Sequence, residues 1–132
     1  MDRALVLMAV LSLAGLGSIS LRRYVSESPM PTRFDRKDVD MAHRGTMLVE
    51  FTSPYCHECQ IAYPLLQAAS ETHQAPLAVI DAKDRPDLTT KYAIRVTPTI
   101  LVVDRRGKVT DGWFVSPSVE DLSSALKLAA AR

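Results

Sequence analysis

Apolar and polar residues change their spacing several times along this chain, and each change marks an element. Residues 46–51, TMLVEF, form an apolar run bounded by Gly45 before it and by Ser53 and Pro54 after it, the pattern of a strand buried on both faces. A helix is expected from Cys56 or His57 to His73, with Pro64 inside it removing a backbone donor and predicting a kink. Residues 77–82, LAVIDA, read again as strand, and 85–93, RPDLTTKYA, as a short helix with Asp84 as cap and Pro86 in its first turn. TILVVD at 99–104 and KVTDGWF at 108–114 read as strands joined by RRG, where Gly107 can supply a positive φ. Ser116, Pro117 and Ser118 signal a last helix, in which Val119, Leu122, Leu126 and Ala129 recur at helical spacing. Upstream, residues 34–43, FDRKDVDMAH, predict a short helix with Phe34, Val39 and Met41 or Ala42 inward, ended by Gly45. This order of elements implies an α/β sandwich with a mixed central β-sheet flanked by helices.

The N-terminus breaks with this alternation. Residues 4–21, ALVLMAVLSLAGLGSISL, are 18 residues without a charge and without a polar face. That length is near the lower limit for a helix spanning a bilayer, and the missing polar stripe argues against a core helix. A secretory signal and a retained anchor both fit an apolar N-terminus. Asp2 offsets Arg3, and SIS at 18–20 is a weak cleavage site, so the anchor is the favoured reading. Residues 1–23 are expected to be an N-terminal apolar helix serving as membrane anchor, 24–31 a linker rich in Ser, Glu and Pro, and 32–132 the folded domain. Arg22 and Arg23 follow the span at once, with Arg33, Arg36 and Lys37 beyond, against Arg3 alone before it. The basic bias predicts a single-pass protein with its domain facing the cytoplasm, an extracytoplasmic domain being the alternative.

Composition narrows the function classes. A chain of 132 residues that is 47% hydrophobic can bury a core without a structural disulfide. Sixteen basic and fifteen acidic side chains, net +1, provide no field that would gather nucleic acid. There is no Asn, hence no N-glycosylation acceptor, and two cysteines are too few for a disulfide-rich secreted scaffold.

Both cysteines lie in FTSPYCHECQ, residues 51–60, as a CxxC pair directly after the first strand. Three uses are open: a metal site, a structural staple, or electron exchange. A tetrahedral zinc site needs two further ligands, and His43, His57 and His73 form no second paired motif, although carboxylates are available. Closing so small a ring restrains the unfolded chain little. Electron exchange fits the placement best. Cys56 at a helix start meets unsatisfied N–H groups and the positive end of the helix dipole, which lower a thiol pKa and favour the nucleophilic thiolate. Cys59, one turn on, shares the face; Cys56 should attack a disulfide and Cys59 should resolve the mixed disulfide.

MLVEFTSPYCHECQIAYPLLQ together with IRVTPTILVVDRRGKV resembles the thioredoxin family over roughly residues 45–132. The separated features agree: the strand before CxxC, Pro64 five residues after Cys59, and VTPT before the later strand. The resemblance implies a thioredoxin-like fold in which Pro98 is cis and packs against the dithiol, leaving the backbone of Thr97 open to pair with a substrate strand. It implies that Glu50 is a buried acid under the dithiol, with a raised pKa suited to taking the proton of Cys59, where the sequence also admits an exposed edge-strand glutamate. Tyr55 replaces the family's tryptophan before the first cysteine as an aromatic wall. His57 and Glu58 replace its Gly-Pro; a protonated His57 would stabilise the neighbouring thiolate and Glu58 would oppose it. The segment before Gly45 is short, so the family's first strand is expected to be missing or reduced to a few residues near Thr32 to Phe34.

The expected function is a membrane-tethered thiol-disulfide oxidoreductase that reduces protein disulfides and acts as a monomer. It needs no cofactor, because the two sulfurs carry the electrons, but it needs a reductase partner to supply them. The alternative is a thioredoxin-like module that holds or delivers a metal ion through Cys56 and Cys59. Trp113, near the end of its strand, either borders the substrate surface or packs at the sheet edge.

Overall fold

A computed structural model describes residues 29–132. The apolar segment 4–21 lies outside them; among the described residues no helix is long and apolar enough to cross a membrane. Four strands form the sheet: β1 Met47–Thr52, β2 Leu77–Asp81, β3 Thr99–Val103 and β4 Val109–Trp113. Their order is β2-β1-β3-β4, with β1 and β2 parallel and the other pairs antiparallel, so the sheet is mixed as its pattern predicts. Three α-helices accompany it: α1 His57–His73, α2 Pro86–Lys91 and α3 Val119–Ala130.

Strand alternation sorts the core into two layers. Met47, Val49 and Phe51 of β1 join Leu101 and Val103 on one face, beneath Phe34, Leu88 and Tyr92. Leu48, Ile100 and Val102 face the other way, against Ala62 and Leu66 of α1 and Leu122, Ala125 and Leu126 of α3. Central position and cover on both sides explain why β1 and β3 are mostly apolar, Glu50 and Thr99 being the buried polar exceptions. The same alternation puts Glu50, between Val49 and Phe51, on the face that α1 covers.

The helix expected over 34–43 is a single 3-10 turn, Arg36–Val39. Asp40 closes it in the left-handed conformation at φ 51°, and none of the turn's own residues is buried. Tertiary bonds take the chain elsewhere: the Arg36 guanidinium donates to the carbonyls of His43, Gly45 and Asp104 and ties the irregular stretch 43–45 to the turn after β3. Phe34 is buried as expected and Val39 and Met41 pack against its cluster, whereas Ala42 is exposed. Helix α2 also differs at its start. Its N-cap is Arg85, not Asp84, and makes no side-chain cap bond; Asp81 instead orders the turn by accepting from the Lys83 amide.

The strand expected near Thr32 to Phe34 is reduced to one bridge, Arg33 with Lys108, flanked by Val109 N donating to Thr32 O and Phe34 N donating to Gly107 O. Gly107 adopts φ 81° in the turn between β3 and β4, as that turn requires. Asp104 is buried at the head of this turn, its carboxylate accepting from the amides of Arg106 and Lys108.

Candidate active site

Strand β1 ends at Thr52 beside the open end of the sheet, and the chain turns through Ser53, Pro54 and Tyr55 into α1. Cys56 is the N-cap of α1, extended at φ −88°, ψ 104°, and its sulfur accepts from the Cys59 amide at 3.2 Å. Sulfur here takes the place of the oxygen that usually caps a helix, which places it among the orphan N–H groups and at the positive end of the dipole. Cys56 and Cys59 are joined in a disulfide, with Cα atoms 5.2 Å apart. The two differ in access: Cys59 is 4% exposed, and Cys56 is partly open to solvent. Helix α1 runs on through Pro64 to His73, where Gln74 caps it in the left-handed conformation.

Beside the dithiol is a cavity of about 340 Å³ lined by Glu50, Thr52, Ser53, Cys56, Cys59 and Tyr63, among others. Glu50 is 1% exposed, and neither carboxylate oxygen has a hydrogen-bond partner among the described residues. Loss of water raises its pKa to about 7. The exposed edge-strand reading of Glu50 is thereby overturned, because β1 is an inner strand with neighbours on both sides.

Across the opening, Thr97–Pro98 is a cis peptide that leads into β3, and Pro98 is buried. Thr97 is half-buried, and its hydroxyl lies 2.8 Å from that of Ser53. Tyr55 is fully exposed, so its ring stands free in solvent beside the dithiol and makes no packed wall in this oxidised form. His57 and Glu58 occupy the first turn of α1 and are exposed. The Glu58 carboxylate accepts from the Ser116 amide at 3.3 Å, bridging to the loop before α3. Trp113 is half-buried and packs against the α1/α3 layer at the edge of the sheet. Cys56, Cys59 and Glu50 thus line one cavity, Tyr55, His57 and Glu58 are exposed next to the cysteines in the chain, and Thr97 is tied to the cavity lining through Ser53, with Pro98 following it.

Two contacts escape a reading of the sequence, Ser53 with Thr97 and Glu58 with Ser116. Hydroxyl residues in both TSPYC and VTPT are the available signal for the first; nothing local marks the second. Among the described residues no group of three or more His, Cys, Asp or Glu side chains converges as a metal site, so the metal-holding alternative finds no ligand set there. Chemically, a partly exposed sulfur bonded to a buried one, next to an acid that titrates near neutrality, can open by accepting two electrons and close by returning them.

The family model described as thioredoxin matches residues 30–127. A protein disulfide isomerase-like 1-4 of Oryza sativa subsp. japonica is 42% identical over 65 residues, 46% of this chain and 11% of that protein. The thioredoxin of Porphyra purpurea is 31% identical over 58 residues, 42% of this chain and 54% of that one. The chain therefore spans about half, or much less, of the length of these curated relatives. A mutant thioredoxin from Halobacterium salinarum NRC-1 superposes with a TM-score of 0.64 at 19% identity, covering 78% of this chain and 91% of that one, a likeness of fold. With the family pattern matched across the sheet, the CxxC helix and the cis-proline loop, the chain belongs to the thioredoxin family.

Proposed function

We propose that this protein is a membrane-anchored thiol-disulfide oxidoreductase that reduces disulfides of other proteins. The observation that carries the reading is the unequal pair: Cys56 caps a helix and is partly open to solvent, while Cys59 is buried behind it. In the reduced form the Cys56 thiolate attacks one sulfur of a substrate disulfide. The substrate S–S bond breaks, a Cys56–substrate disulfide forms, and the displaced thiolate takes a proton from solvent. Glu50, ionised above its pKa of about 7, takes the Cys59 proton through water in the shared cavity. Cys59 then attacks the Cys56 sulfur, closes the intramolecular disulfide and expels the second substrate thiolate. Two electrons have passed to the substrate, and a partner reductase must return them.

Substrate chain is received at the rim. The Thr97 backbone precedes the cis peptide and offers a short strand edge, and the free Tyr55 ring offers an apolar surface beside the attacked sulfur. The uncharged stretch 4–21 supports the anchor, and the basic residues after it support a cytoplasmic domain, where reduction is the natural direction.

Cys56→Ser is expected to abolish turnover of a protein disulfide, and Cys59→Ser to accumulate a mixed disulfide visible on a non-reducing gel. Full activity in Cys56→Ser would end the assignment. Resistance of the full chain to carbonate extraction tests the anchor, and a compartment-dependent reporter fused to the C-terminus reads its orientation.

A further inference from the structure

A cleft of about 610 Å³ opens at the end of the sheet opposite the dithiol. Met47 pairs with Val103 at that end and Phe51 with Thr99 at the other, so the turn after β3 lies by the start of β1 and the CxxC pair follows its far end. The six residues of β1 separate the two by about 17 Å. Arg33 and Lys37 contribute one wall of the cleft, Arg105 and Arg106 another, and all four are exposed. None of the four makes an ion pair among the described residues. Arg33 donates to the Arg106 carbonyl at 2.9 Å and keeps its charge exposed, whereas Arg36 is engaged by three carbonyls and Lys91 by Asp38. Asp35 is the carboxylate in the lining, and it accepts from the Lys37 amide. Unneutralised positive charge is thus gathered at one end of a chain whose net charge is only +1. Folding does not require it, since like charges at an exposed turn repel one another.

We infer that this basic end is a membrane-facing surface that takes anionic phospholipid headgroups, and that it turns Cys56 and Cys59 away from the bilayer. The inference rests on the anchored reading above. Nine residues lie between Arg23 and Arg33, and the ten steps that join them reach at most about 36 Å when extended. Such a tether holds the domain against the bilayer at high effective concentration yet lets either end of the sheet face it. Charge makes the choice: each lysine or arginine near an anionic leaflet raises surface occupancy about fivefold. Exposed side chains on the walls suit a broad lipid surface better than one enclosed small anion. The consequence for function is access, because the dithiol then meets large soluble proteins rather than the headgroup layer.

The test places the full chain in lipid nanodiscs of phosphatidylcholine, alone or with phosphatidylglycerol, and follows amide hydrogen exchange. Peptides covering 33–38 and 104–108 are expected to exchange several-fold more slowly in the anionic discs, with 53–60 unchanged. High salt should remove the difference. The variant carrying Lys37→Gln, Arg105→Gln and Arg106→Gln should lose it too, while reducing disulfides in detergent at the wild-type rate. Equal exchange in both discs, or slowing at 53–60 instead, would overturn the orientation. Glycerol phosphate producing the same slowing in neutral discs would overturn it in favour of a small-anion site. Loss of the protein from discs on carbonate washing would overturn the anchor and this orientation together, whereas retained protein with equal exchange overturns the orientation alone.

Discussion

The Ser53 hydroxyl lies 2.8 Å from the Thr97 hydroxyl, tying the loop that presents Cys56 to the loop that ends in the cis proline. One hydrogen bond therefore joins the two segments. Removing one partner leaves a half-buried hydroxyl unpaired at a cost of about 1 kcal/mol. Ser53→Ala and Thr97→Val are each expected to destabilise by about that much, and the double variant by less than their sum. Urea denaturation of the four proteins measures the coupling; strict additivity would show that the two loops are independent.

Burial holds Glu50 protonated up to about pH 7, against a pKa of about 4.3 in an unfolded chain. Between those values the native state binds a proton that the unfolded state has released. Stability from this group therefore falls as pH rises from about 4.5 to about 7 and then levels off. The integrated loss is on the order of 3 kcal/mol. Glu50→Gln is expected to flatten this slope, read as the difference in denaturation free energy between about pH 5 and about pH 8. An unchanged slope in the variant would assign it to other groups.

In the mechanism proposed above, the same ionisation governs release of the mixed disulfide. Below its pKa Glu50 already holds a proton and cannot accept that of Cys59. The rate of substrate release is expected to rise through about pH 7, and Glu50→Gln to lose that rise together with about 10²-fold or more in rate. Stopped-flow measurement of the resolving step separates this effect from the ionisation of Cys56, which governs the earlier attack.

Glu58 brings a negative charge into the first turn of α1, two residues from the sulfur that caps it. Glu58→Gln keeps an acceptor for the Ser116 amide and removes the charge. The Cys56 thiolate should then be favoured, shifting the thiol-disulfide equilibrium toward the reduced form by up to about fivefold, the range of exposed charge interactions. Equilibration against glutathione reads the shift; movement toward the oxidised form would contradict the electrostatic argument.

Asp104 is 3% exposed and accepts two amide bonds, from Arg106 and Lys108, at the turn between β3 and β4. Asp104→Ala strands both donors and is expected to cost about 2–3 kcal/mol, whereas Asp104→Asn, which keeps an acceptor, should cost less. Chemical denaturation ranks the two, and equal losses would point to charge rather than acceptance as the stabilising feature.

Some of this protein can be read along the chain because the governing forces act between near neighbours. The runs 46–51 and 99–104 announce inner strands, since cover on both faces favours mostly apolar residues, and Met47 to Phe51 and Thr99 to Val103 are buried throughout. CxxC at a strand-to-helix junction announces the capping sulfur, because a cap needs only the next turn of its own helix. The turn at 36–39 has the local pattern of a longer helix, yet the bonds that stop it come from Arg36 reaching chain as distant as Asp104. Whether Glu50 is an exposed glutamate or a buried acid turns on β1 having β2 and β3 on its flanks and α1 above it. The Ser53–Thr97 and Glu58–Ser116 contacts join residues 44 and 58 positions apart. Pairings at that separation are chosen by how layers pack, and residue spacing along a backbone carries no record of them.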